Sequence, residues 1–496
     1  MFAFLAFLLL DAILTLPFVF HGPGDGETLR YVLSLHAWRN GLQPFHASFN
    51  AELSAAYYAL ARGLAAVTGT DLAGLPRLLN LLSWAAGALA SGCLFLWWRK
   101  WFGAAVAARL TALLIAMPAF WSLHLYGNPN IVGLAAGAAA LAIFPASGSP
   151  RSAPRLVVSS LLILAAFVLR ADMLLLAPAV LLSAFRGRER PALVPLLLMG
   201  IVGFVAAIAV RSFFAAPTGA AGTFGRHLSS RLDLGSLGWP RTHLLEIATG
   251  SPPLVFLASL AAFVLARRPG SGELRLTTVL WFLPGTVFLF FAHLHVVRIL
   301  IPLLPALLLP LAFWAAGDRP GRGRRDLALA GLIVASHLVM FAVPEALDRL
   351  HLREKEPRRA SHWLFLGNVV DDHLFLARQA RDQLEDARAL ARHATTPDRG
   401  TPPALVLCSE RNFYAYAFQL EHPRARFTTI ARGHECSVLE ASDEAGSVLG
   451  YIFDGGPTPT PERRLEALGF ALPAQILRAA DARLPAGDRL PNPLGR

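Results

Sequence analysis

Charged residues and cysteines are both scarce in this sequence. Asp, Glu, Lys and Arg together make up 16% of the 496 residues, whereas a soluble protein of ordinary composition carries roughly a quarter. The three cysteines, Cys93, Cys408 and Cys436, include no C-x-x-C pair, so neither a zinc site nor a thioredoxin-like motif is supported. A disulfide between Cys408 and Cys436 stays open, because it depends on the redox state of their compartment.

Long apolar runs are abundant instead. Hydrophobic residues reach 55%, and the mean hydropathy is +0.49. Runs of about 18 residues or more recur over the first two thirds, and each is long enough to cross a bilayer. The first run, residues 1–20, has no basic n-region and no small-residue cleavage site, so we interpret it as a retained span. Asp11, in its middle, is expected to face protein or water.

The net charge of +12 is spread over short loops between the apolar runs. Positive charge distributed in this way orients membrane proteins, with the basic loops on the cytoplasmic side. It predicts contact with anionic membrane lipids and no nucleic-acid partner. The basic loops are residues 97–101, 149–155, 186–190, 266–275 and 317–325.

Threading the chain between these loops predicts an α-helical polytopic membrane protein with about eleven transmembrane helices. Its N-terminus is cytoplasmic and its C-terminus lies outside. The segment 156–185 has two interpretations, a hairpin of short spans with its tip at 170–172, or one long span; basic loops on both flanks favour the hairpin. The predicted spans are 1–20, 77–98, 104–122, 130–145, 156–169, 173–185, 192–214, 251–266, 276–292, 299–316 and 327–343.

Two domains are expected. Residues 1–343 form the transmembrane domain, whose first outer loop is 21–76. Residues 344–496 form a small extracytoplasmic α/β domain, because runs at 403–410 and 447–456 have the composition of strands. The short cytoplasmic loops hold mainly Arg, Gly, Pro and Ser, so the chemistry is expected on the outer face.

The first outer loop begins with two acids. In "HGPGDGETLRYVLSLHAWRNG" the "GPG" ends the first span, so that Asp25 lies in the N-cap zone of a surface helix and Glu27 in its first turn. A second surface helix is predicted over 51–69. The two carboxylates have a structural alternative, since an acid at a helix start is often only a cap.

The order of the motifs resembles that of the GT-C glycosyltransferases, polytopic enzymes that use polyprenyl-phosphate-linked sugars and include the relatives of protein mannosyltransferases and aminoarabinose transferases. The matching segments are Asp25-Gly26-Glu27, "AAYYALARGLAAVTG", "LPRLLNLLSWAAGALA" (75–90), "TALLIAMPAF", "VLRADMLLLAPA" and "VVRILIPLLPALLLPLAF" (296–313). Many members have adjacent Asp and Glu. Here Gly26 separates the acids, which leaves open which one takes the catalytic role.

The resemblance implies sugar transfer from a polyprenyl-phosphate donor, and this chemistry needs defined groups. The acceptor hydroxyl needs a carboxylate general base, for which Asp25 is the first candidate and Glu27 the second. The leaving phosphate needs cationic donors, for which Arg170 and Arg298 are candidates, since a guanidinium is permanently charged and can form two parallel hydrogen bonds to a phosphate. The alternative for each Arg is a side chain that merely extends to the interface from a span end.

Further candidates lie in the same predicted outer turns. His293 and His295 are expected to add donors near the phosphate, and Asp172 to organise Arg170. Tyr126 and Asn128 are candidates for binding sugar hydroxyls, although "YGNPN" is also an ordinary turn sequence. No motif supplies the six or so oxygen ligands of a hard cation, so no metal site is predicted and dependence on a divalent cation stays open.

The sequence therefore predicts a membrane glycosyltransferase that moves a sugar from polyprenyl phosphate to a lipid or glycan acceptor. It is expected in the bacterial inner membrane, acting on the periplasmic face. Two alternatives are kept. One is an undecaprenyl-diphosphate glycan polymerase or ligase, whose large loop usually comes late in the chain. The other is a transporter, which typically shows paired internal repeats and midplane charges, whereas here the halves share no repeat and the acids cluster outside.

Overall fold

A computed structural model gives the three-dimensional structure. The residues that it describes are 2–19, 22, 26–39, 54–117, 120, 125–144, 152–176, 179–180, 259–264, 276, 278–279, 281, 304–315, 323, 327–328, 330–331, 334–335, 384, 388, 404–407, 416–417, 419–420, 426–429, 448–453 and 476–478.

The chain forms two compact units, each built from separated stretches. The first comprises Met1–Phe20, Ser48–Ala61 and Leu78–Phe375, and the second comprises His21–Ala47, Arg62–Arg77 and Leu376–Arg496. The predicted domain boundary between residues 343 and 344 stays a prediction.

The first unit begins with helix α1 (Phe2–Thr15), which continues into a 3₁₀ turn at Leu16–Phe18. One face of α1 is exposed and apolar, whereas Asp11 on the other face is fully buried, so the expectation that Asp11 faces protein is confirmed. The indole Nε1 of Trp84 donates a hydrogen bond of 3.2 Å to the Ala12 carbonyl. This bond fastens α1 to the helix that carries Trp84.

That helix is α4 (Leu75–Phe102), with 28 residues. Among the described residues it is the one helix that is both long enough and apolar enough to cross a bilayer. Gly103 follows it with a φ of +79°, a value that glycine adopts without strain, and the chain continues as α5 (Ala104–Ala116). Helix α5 ends where it does because Met117 precedes a proline and takes an extended conformation.

Helices α6 (Pro129–Ile143) and α7 (Ser152–Leu169) form a tightly packed pair. A 3₁₀ helix, Ala171–Leu176, follows directly after Arg170. An added Cβ at Gly133 would meet the Met173 side chain, and one at Gly137 would meet Leu176. The 3₁₀ helix therefore runs in the same direction as α6 and opposite to α7. The chain reverses its direction at Arg170, as the hairpin interpretation predicts.

Lys100, near the end of α4, binds the end of α6. Its Nζ donates hydrogen bonds to the carbonyls of Leu141 at 3.5 Å, Ala142, and Phe144 at 2.6 Å. A cation at a helix C-terminus satisfies carbonyls that have no partner within the helix. Since Asn80 and Ser83, near the start of α4, contact the turn before α6, α4 and α6 run parallel. The predicted spans 77–98 and 130–145 are separated by one span, so they should cross the membrane in the same direction, as α4 and α6 do.

The first unit also contains α8 (Leu304–Ala315), whose described side chains from Leu304 to Ala312 are all buried. The Ser259 hydroxyl donates a hydrogen bond to the Leu307 carbonyl. Both segments fall within predicted spans, 251–266 and 299–316.

The second unit contains helix α2 (Gly26–Arg39) and a turn at residues 69–74. Helix α3 (Ala55–Thr68) lies directly before that turn. The two surface helices predicted in the first loop are therefore confirmed as helices. The Arg39 Nη1 donates a 2.6 Å hydrogen bond to the Thr70 carbonyl, which ties the last turn of α2 to the 69–74 turn.

The tail contributes a four-stranded parallel sheet to the second unit. Its strands are β1 (Ala404–Leu407), β2 (Arg426–Thr429), β3 (Val448–Phe453) and β4 (Ile476–Arg478), in the order β2-β1-β3-β4. The two strands predicted from the sequence are confirmed as β1 and β3. Tyr416, in the connection from β1 to β2, is buried.

Candidate functional site

Arg170 occupies the reversal between α7 and the 3₁₀ helix. Its backbone N–H donates to the Ala166 carbonyl as the last bond of α7, and its own carbonyl accepts from Met173 at 3.1 Å. The side chain is only 6% exposed. A buried guanidinium keeps its charge and requires hydrogen-bond acceptors or an anion around it, so this position is costly without a polar or anionic environment.

Ser54 supplies one contact to that guanidinium. The Nη1 of Arg170 lies 3.4 Å from the Ser54 hydroxyl, and Ser54 is fully buried. The Ser54 carbonyl accepts the Tyr58 N–H at 3.1 Å, so Ser54 precedes the first turn of α3. The first outer loop and the 170–172 tip were both predicted on the same side of the membrane, and this contact brings one residue of each together.

The turn before α6 is buried throughout residues 125–130. Asn128 is the N-cap of α6, and its Oδ1 accepts the Asn130 N–H at 2.9 Å. The Asn80 Oδ1 on α4 accepts the Gly127 N–H at 2.7 Å. Ser83, three residues along the same helix, accepts the Asn128 N–H at 2.8 Å.

The turn and Arg170 are linked through Gly133. A Cβ added at Gly133, in the second turn of α6, would lie 3.3 Å from the Arg170 Cβ. The N-terminal end of α6 therefore packs beside the backbone of Arg170. The partial positive charge of the α6 N-terminus is offset by the partial negative charge of the α7 C-terminus at the same end. The net positive charge at this end of the helix pair is therefore that of the Arg170 guanidinium, which suits an anion.

Tyr126 and Asn128, the predicted sugar-binding residues, are both in this buried turn. Tyr126 is 8% exposed and Asn128 is 2% exposed. The Asn128 side-chain oxygen is used to cap α6, which is the structural alternative noted for "YGNPN". Their role in binding a sugar stays a prediction.

The side chains of the acidic candidates are not among those that the structure describes. Glu27 lies in the first turn of α2, as expected, but its side chain is not described. The same holds for the side chain of Asp172 in the 3₁₀ helix. Asp25, Arg298, His293 and His295 lie outside the described residues. Their convergence with Arg170 stays a prediction.

His36, in the last turn of α2, has a pKa below its ordinary value of 6.5. Burial is the larger cause and the positive charge of Arg39 is the second. Tyr416 shows the opposite direction for an acid: burial raises its pKa, so that the hydroxyl stays protonated. This hydroxyl lies 3.4 Å from both the Leu72 and Ala73 carbonyls and donates to them.

No cluster of three or more His, Cys, Asp or Glu side chains that would hold a metal ion occurs within the part of the chain that the structure describes. The described cysteine, Cys93, is a buried free thiol. Cys408 and Cys436 fall outside the described residues.

Three residues of this region were not predicted from the sequence, namely Ser54, Asn80 and Ser83. Asn80 and Ser83 are three residues apart, on one face of a predicted membrane helix, and this spacing was the available signal, since polar side chains in such a helix need partners. For Ser54 the signal was its place directly before a helical run, where Ser is a common cap.

The chain has a fold similar to that of ArnT from Cupriavidus metallidurans. The crystal structure of ArnT from Cupriavidus metallidurans bound to undecaprenyl phosphate matches with a TM-score of 0.56 and 16% identity, over 87% of this chain and 85% of that chain. Its apo state matches with the same values. The apo oligosaccharyltransferase of Archaeoglobus fulgidus matches with a TM-score of 0.41 and 13% identity, over 87% and 65% of the two chains.

No protein-family model matches the chain, and no curated protein matches it. The likeness to ArnT is therefore one of fold.

Proposed function

We propose that this chain is a membrane glycosyltransferase that moves a sugar from a polyprenyl-phosphate donor to a lipid or glycan acceptor. The observation that carries the proposal is the buried guanidinium of Arg170 beside the Ser54 hydroxyl and the N-terminal end of α6. The proposal is supported by the shared fold with ArnT, which was crystallised with undecaprenyl phosphate.

In this proposal Arg170 binds the phosphate of the donor. As the glycosidic bond to phosphate breaks, negative charge grows on the leaving oxygen, and a fixed guanidinium in a site of low dielectric stabilises that charge. Arg298 and His295 are proposed as further donors to the phosphate. His293 is proposed to add a donor near the same phosphate, and Asp172 to organise Arg170.

The acceptor hydroxyl loses its proton to a carboxylate as it attacks the sugar. Asp25 is the proposed general base, and Glu27 is the second candidate. Asp25 directly precedes α2, whose first turn contains Glu27. A divalent cation held by the pair is a further alternative that an assay with a chelator tests.

The reaction is proposed on the periplasmic face of a bacterial inner membrane. The protein then has about eleven spans, a cytoplasmic N-terminus and a tail domain outside that helps to bind the acceptor. The basic loops on the opposite side support this orientation.

The test uses the full-length protein purified in detergent or nanodiscs. Radiolabelled polyprenyl-phosphate sugars are supplied with membrane extracts as acceptors, and transfer is compared for the unmodified protein, Asp25→Asn and Glu27→Gln. Loss of about 10²–10⁴-fold identifies the base. Glu273→Gln, in a loop predicted to be cytoplasmic, is the matched control.

Transfer that persists undiminished in Asp25→Asn but is lost in Glu27→Gln reassigns the base. If the unmodified protein neither turns over nor binds any prenyl-linked sugar, the enzymatic proposal is wrong and a transporter is favoured.

A further inference from the structure

Two polar residues on α4, Asn80 and Ser83, are fully buried. They are three residues apart and therefore project from the same face of the helix. A polar side chain on an otherwise apolar membrane helix is costly unless a partner is available. Both residues have partners in the same place, the backbone of residues 127 and 128.

The contacts are directed at consecutive peptide groups. The Gly127 N–H donates to the Asn80 Oδ1 at 2.7 Å, and the Asn128 N–H donates to the Ser83 Oγ at 2.8 Å. The Ser83 hydroxyl donates in return to the Asn128 carbonyl at 3.3 Å. We call these four residues, Asn80, Ser83, Gly127 and Asn128, the α4 clasp.

The clasp gives acceptors to two backbone N–H groups at the start of α6. Gly127 and Asn128 precede the first turn of α6, a position where a helix supplies no acceptor of its own. Both residues are buried, and a buried N–H without an acceptor is strongly disfavoured. Removing the Asn80 or Ser83 oxygen therefore frees the turn to move toward another acceptor.

Movement of this turn affects the candidate donor site. Asn128 caps α6, so the clasp fixes the position at which α6 begins. Gly133, in the next turn, is packed against Arg170 so closely that an added Cβ would lie 3.3 Å from the Arg170 Cβ. A shift of the N-terminal end of α6 is thus passed directly to Arg170.

We propose that Asn80 and Ser83 are positioning residues for the donor phosphate. They hold the 125–130 turn and the start of α6, and thereby hold Arg170 where it binds the lipid-linked phosphate. Neither side chain touches the reacting atoms. This inference rests on the proposed function, since it assigns a role in placing the group that the proposed donor requires.

The test combines kinetics with amide exchange on the full-length protein. The variants are Asn80→Ala, Ser83→Ala and the conservative Asn80→Asp, which keeps an oxygen acceptor. Ser159→Ala is the matched control, because the buried Ser159 hydroxyl also binds the α6 backbone, at the Ala140 carbonyl 2.9 Å away, near the other end of that helix.

In the expected result, Asn80→Ala and Ser83→Ala each raise the KM for the prenyl-phosphate donor by about 5- to 10-fold while kcat changes less than about twofold. The dissociation constant for undecaprenyl phosphate rises by a similar factor. Amide exchange at residues 127 and 128 accelerates by about tenfold or more. Ser159→Ala changes none of these values, and Asn80→Asp restores most of the donor affinity.

Two outcomes overturn the inference. If exchange at 127 and 128 stays as slow as in Ser159→Ala, the clasp does not hold the turn. If exchange accelerates but donor KM and affinity equal those of Ser159→Ala, the clasp is structural only.

Failure of the proposed function has a different signature. The unmodified protein then shows neither transfer nor binding of undecaprenyl phosphate. In that case the positioning role is overturned with the proposed function, whereas the exchange measurement still decides whether the clasp contacts exist.

Discussion

The guanidinium Nη1 of Arg170 lies 3.4 Å from the hydroxyl oxygen of Ser54, which is 116 positions earlier in the chain. Arg170 directly follows α7, and Ser54 directly precedes α3. A loop residue and a core residue therefore share one buried polar environment. Both are expected to contribute to the binding of an anionic lipid headgroup.

Arg170→Lys is expected to lower kcat/KM for the prenyl-phosphate donor by about 10- to 100-fold, because hydrogen bonds to charged groups contribute about 1.5–3 kcal/mol. A lysine keeps the charge but loses the planar pair of donors. Ser54→Ala is expected to cost about fivefold or less, since it removes one contact to a neutral hydroxyl. The measurement is steady-state transfer at varied donor concentration.

Arg99→Lys is the control for the Arg170 variant, since Arg99 is exposed in the last turn of α4, at the end of the helix away from Asn80. Equal activity of Arg170→Lys and Arg99→Lys would exclude Arg170 from donor binding.

Gly133→Ala is expected to reduce donor binding more than Gly137→Ala does. A Cβ at Gly133 lies 2.9 Å from the Met173 Cγ and 3.3 Å from the Arg170 Cβ, whereas at Gly137 the neighbour that must move is the flexible Leu176 side chain. The crowding lowers the free energy of unfolding by about 1–3 kcal/mol. The higher helix propensity of Ala than of Gly offsets about 1 kcal/mol of this loss. Binding of undecaprenyl phosphate and the thermal midpoint are measured for both variants.

Gly63→Ala is the control for the Gly133→Ala and Gly137→Ala variants. Gly63 lies within α3, and among the described residues no atom outside the local helix backbone lies within 4 Å of an added Cβ. This substitution should therefore stabilise by about 0.5–1 kcal/mol. Equal loss of binding in the Gly133 and Gly137 variants would show that packing at Arg170 is not the cause.

Lowering the pH below 6.5 is expected to destabilise the region around His36. The folded-state pKa of His36 is lower than the ordinary value of 6.5, mainly through burial and also through Arg39. Well above pH 6.5 both states are neutral and the stability is fully present. As the pH falls below 6.5 the unfolded chain takes up the proton first, so the free energy of unfolding decreases. Thermal midpoints between pH 8 and 5.5 measure this effect.

His36→Gln has no such titration and should show a shallower decline over the same pH interval. Arg39→Gln removes the second cause and should give an intermediate slope. Parallel curves for the unmodified protein and His36→Gln would contradict the assignment.

Lys100→Met is expected to lower stability by about 1 kcal/mol, because it leaves the last carbonyls of α6 without their cation. Lys100→Arg keeps the charge and several donors, and should lose much less. Thermal unfolding in detergent distinguishes the two, and donor KM should be unchanged because Lys100 binds the end of α6 away from Arg170. An unchanged midpoint in Lys100→Met would mean that the carbonyls find another partner.

Much of the helical framework could be predicted because it follows from local signals. Apolar length and basic flanks placed the spans that contain α4, α6 and α7, and the motif around Arg170 indicated a reversal. Strand composition placed β1 and β3. These features depend on short stretches of sequence, where periodicity and turn chemistry act directly.

The polar contacts around Arg170 could not be predicted in the same way. Asn80 and Ser83 bind a turn 45 and more positions away, and Ser54 binds Arg170 across 116 positions. Such pairs depend on how helices pack, which no local pattern encodes. The sequence indicated only that these polar side chains needed partners.

The hydrogen bond from Tyr416 to the Leu72 carbonyl joins residues 344 positions apart. A ribosome that adds 5–20 residues per second takes roughly 20–70 s to make the intervening chain. The first loop leaves the translation machinery early, yet this attachment forms only after Tyr416 has been synthesised. The contact is therefore timed by the synthesis of the tail.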